Sequence, residues 1–257
     1  PIGISYYTFH SITYLVAAWR VQIVVEKPER LALYLAFFPT LLAGPICRAG
    51  DMLPQYAATA PRAIGEAGRI FILLISALVK LLWLNAWLEE NWTTPILGNP
   101  EQYQPIEVLA GLYAYTLYIY LNFSGYTELV TAFALLLGIR IADNFNMPYA
   151  ATNLRDFWQR WHISLSSWIR DYLYIPLGGN RHGYLRTQVN LTIAMLLSGL
   201  WHGASGNYLI WGAMHAVGII ALNSCDRLMG KNAVATLSPA LARYGTIHYI
   251  VLTWAVF

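Results

Sequence analysis

The stretch "IFILLISALVKLLWLNAWL" (70–88) is nineteen residues long and carries a single charge, Lys80. As a helix it extends about 28 Å, close to the thickness of a bilayer's hydrocarbon layer. A chain built around such a run must fold against lipid. Composition agrees: 57% of the 257 residues are hydrophobic, 11% are charged and mean hydropathy is +0.45, whereas soluble domains carry about 25% charged residues. Ten Trp and eighteen Tyr suit aromatic belts at the bilayer interfaces.

Further apolar stretches occupy 4–25, 31–47, 108–121, 126–142, 189–201 and 207–222, which predicts an all-α, multi-pass membrane protein. Arg62 and Arg69 precede the 70–88 run, while 89–107 holds four Glu and no Lys or Arg. The first side is therefore expected in the cytoplasm. "FFPTLLAGPICRAGDMLPQ" (37–55) is interrupted by Pro39, Gly44, Pro45, Gly50 and Pro54 and reads as a broken or re-entrant element. Such backbone survives at membrane depth only inside protein or beside a water-filled cavity, so it points to an internal tunnel. No fixed-period repeat and no pair of pseudo-symmetric halves is visible, which weakens a transporter reading. The chain opens at Pro1 and closes in a short apolar run at "VLTWAVF". The expectation is a single membrane domain, 1–257, lacking N-terminal spans and its C-terminal end. A net charge of +3 without a basic stripe reflects topology and argues against a nucleic-acid partner. Cys47 and Cys225 are too few and too distant for a disulfide framework or a zinc site and are expected to be core thiols.

The segment "NLRDFWQRWHISLSSWIRDYLYIPLGGNRHG" (153–183) is the most informative. As a helix to about Tyr172 it aligns Trp158, Trp161, Leu165, Trp168 and Tyr172 on one stripe, with Arg155, Gln159, His162, Ser166 and Arg170 on the next. Asp156, Arg160, Arg170 and Asp171 make it too charged to cross lipid, since each charge at the bilayer centre costs at least ~2.5 kcal/mol. An interfacial or protein-enclosed helix on the cytoplasmic side is expected, ended by Pro176 and Gly178-Gly179. Taken alone it reads equally well as a headgroup-level anchor with a structural His162.

A second histidine shifts that balance. His202 closes the 189–201 run one turn after Ser198 and is flanked by Gly199 and Gly203. Ionisable groups at membrane depth are functional candidates, and imidazole can take a proton from a hydroxyl and return it, as esterification of an alcohol by a thioester requires. His10 and His215, within apolar runs, read as structural; His182 and His248 weigh less. No His-Glu-x-x-His, Gly-x-Ser-x-Gly elbow or phosphate loop occurs, which favours direct histidine-assisted transfer over an acyl-enzyme. His202 and His215 lack the companions a metal site needs.

These stretches resemble the membrane-bound O-acyltransferase family, in particular the branch of alginate O-acetyltransferase membrane subunits. "PIGISYYTFHSITYLV" (1–16), "FFPTLLAGPICRAGDMLPQ" (37–55), "FSGYTELVTAFALLLGIRIADNFNMPY" (123–149), "DFWQRWHISLSSWIRDYLYIPLGGNR" (156–181) and "LSGLWHGASGNYLIWGAMH" (197–215) carry the likeness in family order. "YIPLGGNR" is closer to that branch than to the proteins that D-alanylate teichoic acids. Where the branch often has acidic residues around "FSGY", this chain has Asn122 and Glu128.

The resemblance implies an all-α fold of many helices, with re-entrant and interfacial helices around a central tunnel. It also implies two tunnel histidines, mapping to His162 and His202, the second being the principal catalytic one. The expected activity is O-acylation, most naturally O-acetylation of an exported, alginate-like polysaccharide from a cytoplasmic donor. That donor is acetyl-CoA or an acyl-carrier-protein thioester, with no tightly bound cofactor and no metal. Trp158, Arg160, Ser166, Arg170, Asp171, Ser198 and Trp201 are the expected substrate or tunnel residues, with Arg155, Arg160 and Arg170 drawing an anionic donor to the cytoplasmic mouth. Expected partners are the polysaccharide, an acyl carrier protein, a periplasmic acetyltransferase and the lipid of a bacterial inner membrane. The alternatives are a proton- or acetyl-translocating transporter and a non-catalytic scaffold of an export complex.

Overall fold

The computed structural model describes residues 3–58, 64–231, 236 and 238–257. Arg62, one of the two arginines expected to mark the cytoplasmic end, lies outside the described residues. The α-helices are α1 (Ile4–Trp19), α2 (Pro28–Leu35), α3 (Phe38–Leu41), α4 (Ala49–Ala57), α5 (Ala67–Leu97), α6 (Pro105–Leu136), α7 (Leu154–Arg160), α8 (Ile163–Ile169, continued by wide turns over Arg170–Tyr174), α9 (Gly183–His202), α10 (Gly206–Met229) and α11 (Pro239–Trp254). The described residues contain no strand.

Two of these helices, α5 and α10, are long and apolar enough to cross a membrane. On α5, Phe71, Ile72, Leu82 and Trp83 point outward and are 66–72% exposed. An apolar face of that size is unfavourable in water and suited to lipid. The helix also runs past Leu88 into the acidic 89–107 stretch. Wide π turns over Glu89–Leu97 accommodate Pro95, which has no N–H to donate. Likewise the apolar stretch 108–121 and the first part of 126–142, to Leu136, are joined in α6. Residues 122–125 between them remain helical, and the buried Thr127 and Thr131 hydroxyls are met by the carbonyls of Ser124 (2.9 Å) and Thr127 (2.7 Å).

The described residues fall into two compact units, one within 1–87 and 119–144, the other within 88–118 and 145–257. In the first, the break expected in 37–55 lies between α3 and α4. The Cys47 N–H donates to His10 Nε2 (3.1 Å) and the Tyr34 hydroxyl donates to the Cys47 carbonyl (2.9 Å), so the non-helical backbone there is satisfied from inside the protein. Tyr14, Phe37, Met52 and Leu53 pack around it. Lys80, the one charge in the 70–88 run, forms an ion pair with Glu128 of α6. Cys47 is buried but Cys225 is exposed, on the outer side of α10, so only the former is a core thiol.

In the second unit the 153–172 segment is two helices instead of one. Trp161 adopts an extended conformation (φ −104°, ψ 128°) and His162 a left-handed one (φ 42°, ψ 54°) before α8 begins. Packing overrides the helical pattern here. Trp161 stacks on Phe157 (5.5 Å), meets Phe145 edge-on (5.1 Å) and touches Trp254 (5.2 Å), while the Arg160 carbonyl accepts the Asn146 N–H (3.0 Å). After α8 the chain turns through Gly178 (φ 110°) and Gly179 (φ 55°), values that favour glycine. The buried Asn190 side chain of α9 donates to the Gly179 carbonyl (3.0 Å) and pins the turn.

Candidate active site

His162 owes its place to the helix break. Held in the left-handed region and 2% exposed, it projects from the corner between α7 and α8. Burial lowers its pKa from the ordinary histidine value, with His202 adding to the effect, so its imidazole is neutral near pH 7. His202 is the last residue of α9, before Gly203 turns the chain into α10. Trp201 stands between the two histidines, with ring centroids 6.0 Å from His162 and 4.6 Å from His202. The His202 ring is enclosed by Phe257 (4.8 Å), Trp211 (5.1 Å) and Tyr208 (6.0 Å). Ser198, one turn earlier on α9, is buried.

A third histidine belongs to this cluster. His215 of α10 is 0% exposed, its ring edge-on to Trp211 (4.6 Å) and Trp158 (4.9 Å) and within electrostatic reach of His202. Neither of its ring nitrogens has a hydrogen-bond partner among the described residues, and the same holds for the indole nitrogens of Trp158, Trp211 and Trp254. Each unmet buried group costs about 1–3 kcal/mol. Read from sequence, His215 was structural. The pattern that marks it is Tyr208, Trp211 and His215 at spacings of three and four, one face of α10.

Trp158 also lines a cavity of about 770 Å³. Arg155, Arg170, Arg227 and Lys231 contribute four cations to its wall against the single carboxylate of Asp226. Arg155 is fixed by Asn223 (2.7 Å) and by an ion pair with Asp226, and Asn223 in turn donates to Gln188 (3.1 Å). Such a wall attracts anions. Trp158 lines this cavity and touches both His215 and Trp211, and Trp211 touches His202, so the rings form one contiguous aromatic cluster.

The structure thus gathers His162, Trp201 and His202 in one aromatic cluster, and Trp158, Ser166 and Arg170 in the cavity wall. It separates two others. Arg160 pairs with Asp156 (2.6 Å) and the Asn146 carbonyl, and Asp171 pairs with Arg170 (2.8 Å); neither lines the cavity. Arg227, Lys231, Asn223 and Phe257 had no part in the sequence expectation. Among the described residues no group of three or more His, Cys, Asp or Glu side chains is placed to hold a metal ion.

Comparison with known proteins bears on this geometry. The chain is 36% identical over its whole length to the probable alginate O-acetylase AlgI of Pseudomonas aeruginosa and 37% identical to that of Azotobacter vinelandii, covering 48% and 50% of those proteins. It therefore spans about half the length of these curated relatives. It is also 29% identical over its whole length to the peptidoglycan O-acetyltransferase of Helicobacter pylori, covering 54% of that protein. Residues 29–253 match the membrane-bound O-acyltransferase family. With a match over most of its length, this chain belongs to the membrane-bound O-acyltransferase family.

Proposed function

We propose that the protein containing this chain is a multi-pass O-acyltransferase of a bacterial inner membrane, moving an acetyl group from a cytoplasmic thioester to hydroxyls of an exported polysaccharide. The observation that carries the reading is the position of His202. It ends a largely apolar helix within an aromatic enclosure, coupled through Trp201 to a second histidine held in a left-handed backbone.

In this reading the acceptor hydroxyl oxygen adds to the thioester carbonyl carbon while His202 takes its proton. The carbon–sulfur bond then breaks and the leaving thiolate recovers the proton from His202. General-base assistance of this kind contributes typically 10²–10⁴-fold. His162, neutral and buried, orients the donor or shares the proton. The basic cavity receives the phosphate-bearing part of the donor, acetyl-CoA or a carrier-protein thioester; both are substrates, so no resident cofactor is required. The tunnel expected from the broken helices would join this cavity to the acceptor side. A periplasmic acetyltransferase partner fits a version in which the acetyl group is handed on.

The test is His202→Ala in the full-length gene, with acetate released from the polymer by mild alkali as the readout. Loss of ester, with the protein still in the membrane, supports the reading. Ester at the wild-type level would move the weight to a transporter or an export scaffold, since neither needs His202 as a base.

A further inference from the structure

We propose that His215 contacts the substrate, donating its ring N–H to the carbonyl oxygen of the acyl group as that group is transferred. The inference rests on the acyltransfer reading and adds to it a group that stabilises charge.

When the acceptor oxygen adds to the carbonyl carbon, the π electrons of the C=O bond move onto its oxygen. His202 can hold the proton, but it cannot also neutralise this oxyanion; a separate donor must face it. His215 has the required properties. It is fully buried in α10 and has no hydrogen-bond partner at either ring nitrogen among the described residues. It touches Trp158, which lines the cation-rich cavity, and Trp211, which touches His202. The indole N–H groups of Trp158 and Trp211 beside it are unmatched as well. Buried polar groups are almost always paired, so several unmet donors in one cluster mark the place of a guest that brings acceptors. A carbonyl oxygen gaining charge is such a guest. A structural histidine would instead have its hydrogen bonds met by the chain, as His248 has at both ring nitrogens, from Tyr113 (2.7 Å) and the Tyr244 carbonyl (3.1 Å); even His10 has one nitrogen met, by the Cys47 N–H.

The experiment compares His215→Ala, His215→Gln and His202→Ala in cells making the full-length protein, reading polymer-bound acetate per unit of protein in the membrane. Removing one oxyanion donor lowers turnover about 10²–10³-fold, so His215→Ala is expected to lose ester on that scale at unchanged membrane abundance. His215→Gln keeps an N–H donor but does not titrate, and is expected to restore at least tenfold of the loss. Equal loss in Ala and Gln would overturn the donor role in favour of proton transfer through His215. Wild-type ester in His215→Ala, with His202→Ala inactive, would overturn this inference alone. Wild-type ester in His202→Ala would overturn the acyltransfer reading beneath it.

Discussion

Gly199 of α9 meets Tyr208 of α10 backbone to backbone: a Cβ on Gly199 would stand 2.1 Å from the Tyr208 carbonyl oxygen. Gly212 makes the matching approach to α9, where a Cβ would lie 2.5 Å from the Met195 carbonyl oxygen. This crossing sets Tyr208 and Trp211 against His202, because close approach without side chains is how helices pack when lipid supplies no hydrophobic drive between them. The obstacle at Gly199 is backbone, which cannot rotate away. Gly199→Ala is therefore expected to destabilise the protein by about 1–3 kcal/mol, the usual cost of overpacking. Gly206→Ala, with nothing within 4 Å of its added carbon, is the control and is expected to show no loss. Thermal unfolding in detergent compares them; equal midpoints would mean that α9 and α10 separate freely at this point.

The left-handed backbone of His162 makes a different prediction. A non-glycine residue there carries a cost of about 1–2 kcal/mol relative to glycine, so His162→Gly is expected to be more stable than His162→Ala by about 1 kcal/mol. Both variants lack the imidazole and are expected to lose polymer ester alike. The pairing of unequal stability with equal inactivity separates the corner's backbone role from the chemistry of the ring. Measured midpoints with Ala at or above Gly would show that the residue does not hold this conformation in the membrane.

Lys80 and Glu128 test the membrane assignment of α5. Each side chain is only 17–24% exposed, and the ammonium also lies 5.8 Å from the centroid of the Tyr120 ring. An uncompensated charge at membrane depth costs at least ~2.5 kcal/mol on insertion scales. Lys80→Met alone strands the carboxylate and is expected to reduce membrane accumulation severalfold, whereas Lys80→Met with Glu128→Gln is expected to recover it. Immunoblots of washed membranes give the answer. A single variant as abundant as wild type would place this pair in water.

How much of this was legible beforehand depends on whether a feature is local. The apolar run at 70–88, the broken 37–55 stretch and the end of α9 at His202 are written in short-range composition, and the structure places them accordingly. The break at Trp161-His162 is not local. Both residues fit a helical stripe, and what bends the chain is Phe145, from well before the segment, and Trp254, from far beyond it. The basic wall has the same origin, since Arg227 from the last turn of α10 and Lys231 just beyond it lie more than fifty residues from Arg170. His215 was weighed as a single histidine in an apolar helix, and single residues carry no sign of which neighbours fail to satisfy them. Only the assembled cluster shows that its nitrogens are unmet.

The basic cavity supplies the last prediction. If its four cations hold the phosphate groups of the donor, reversing one of them should weaken donor capture without touching the reacting atoms. Lys231 suits the test better than Arg155, whose guanidinium also organises Asn223 and Asp226. At about 4 Å in a water-like dielectric each unit charge contributes about 1 kcal/mol, so Lys231→Glu, a change of two charges, is expected to raise the half-saturating donor concentration up to roughly thirtyfold. The maximal rate should stay near wild type, since His202 does not line the cavity. Because the Debye length shortens from about 8 Å at physiological salt to about 3 Å at 1 M, the difference between variant and wild type should shrink as salt is added. Initial rates in membrane vesicles holding the full-length protein, with acetyl-CoA as the probe, measure all three quantities. A Lys231→Glu variant with an unchanged half-saturating concentration and an unchanged salt dependence would remove the cavity from the path of the donor.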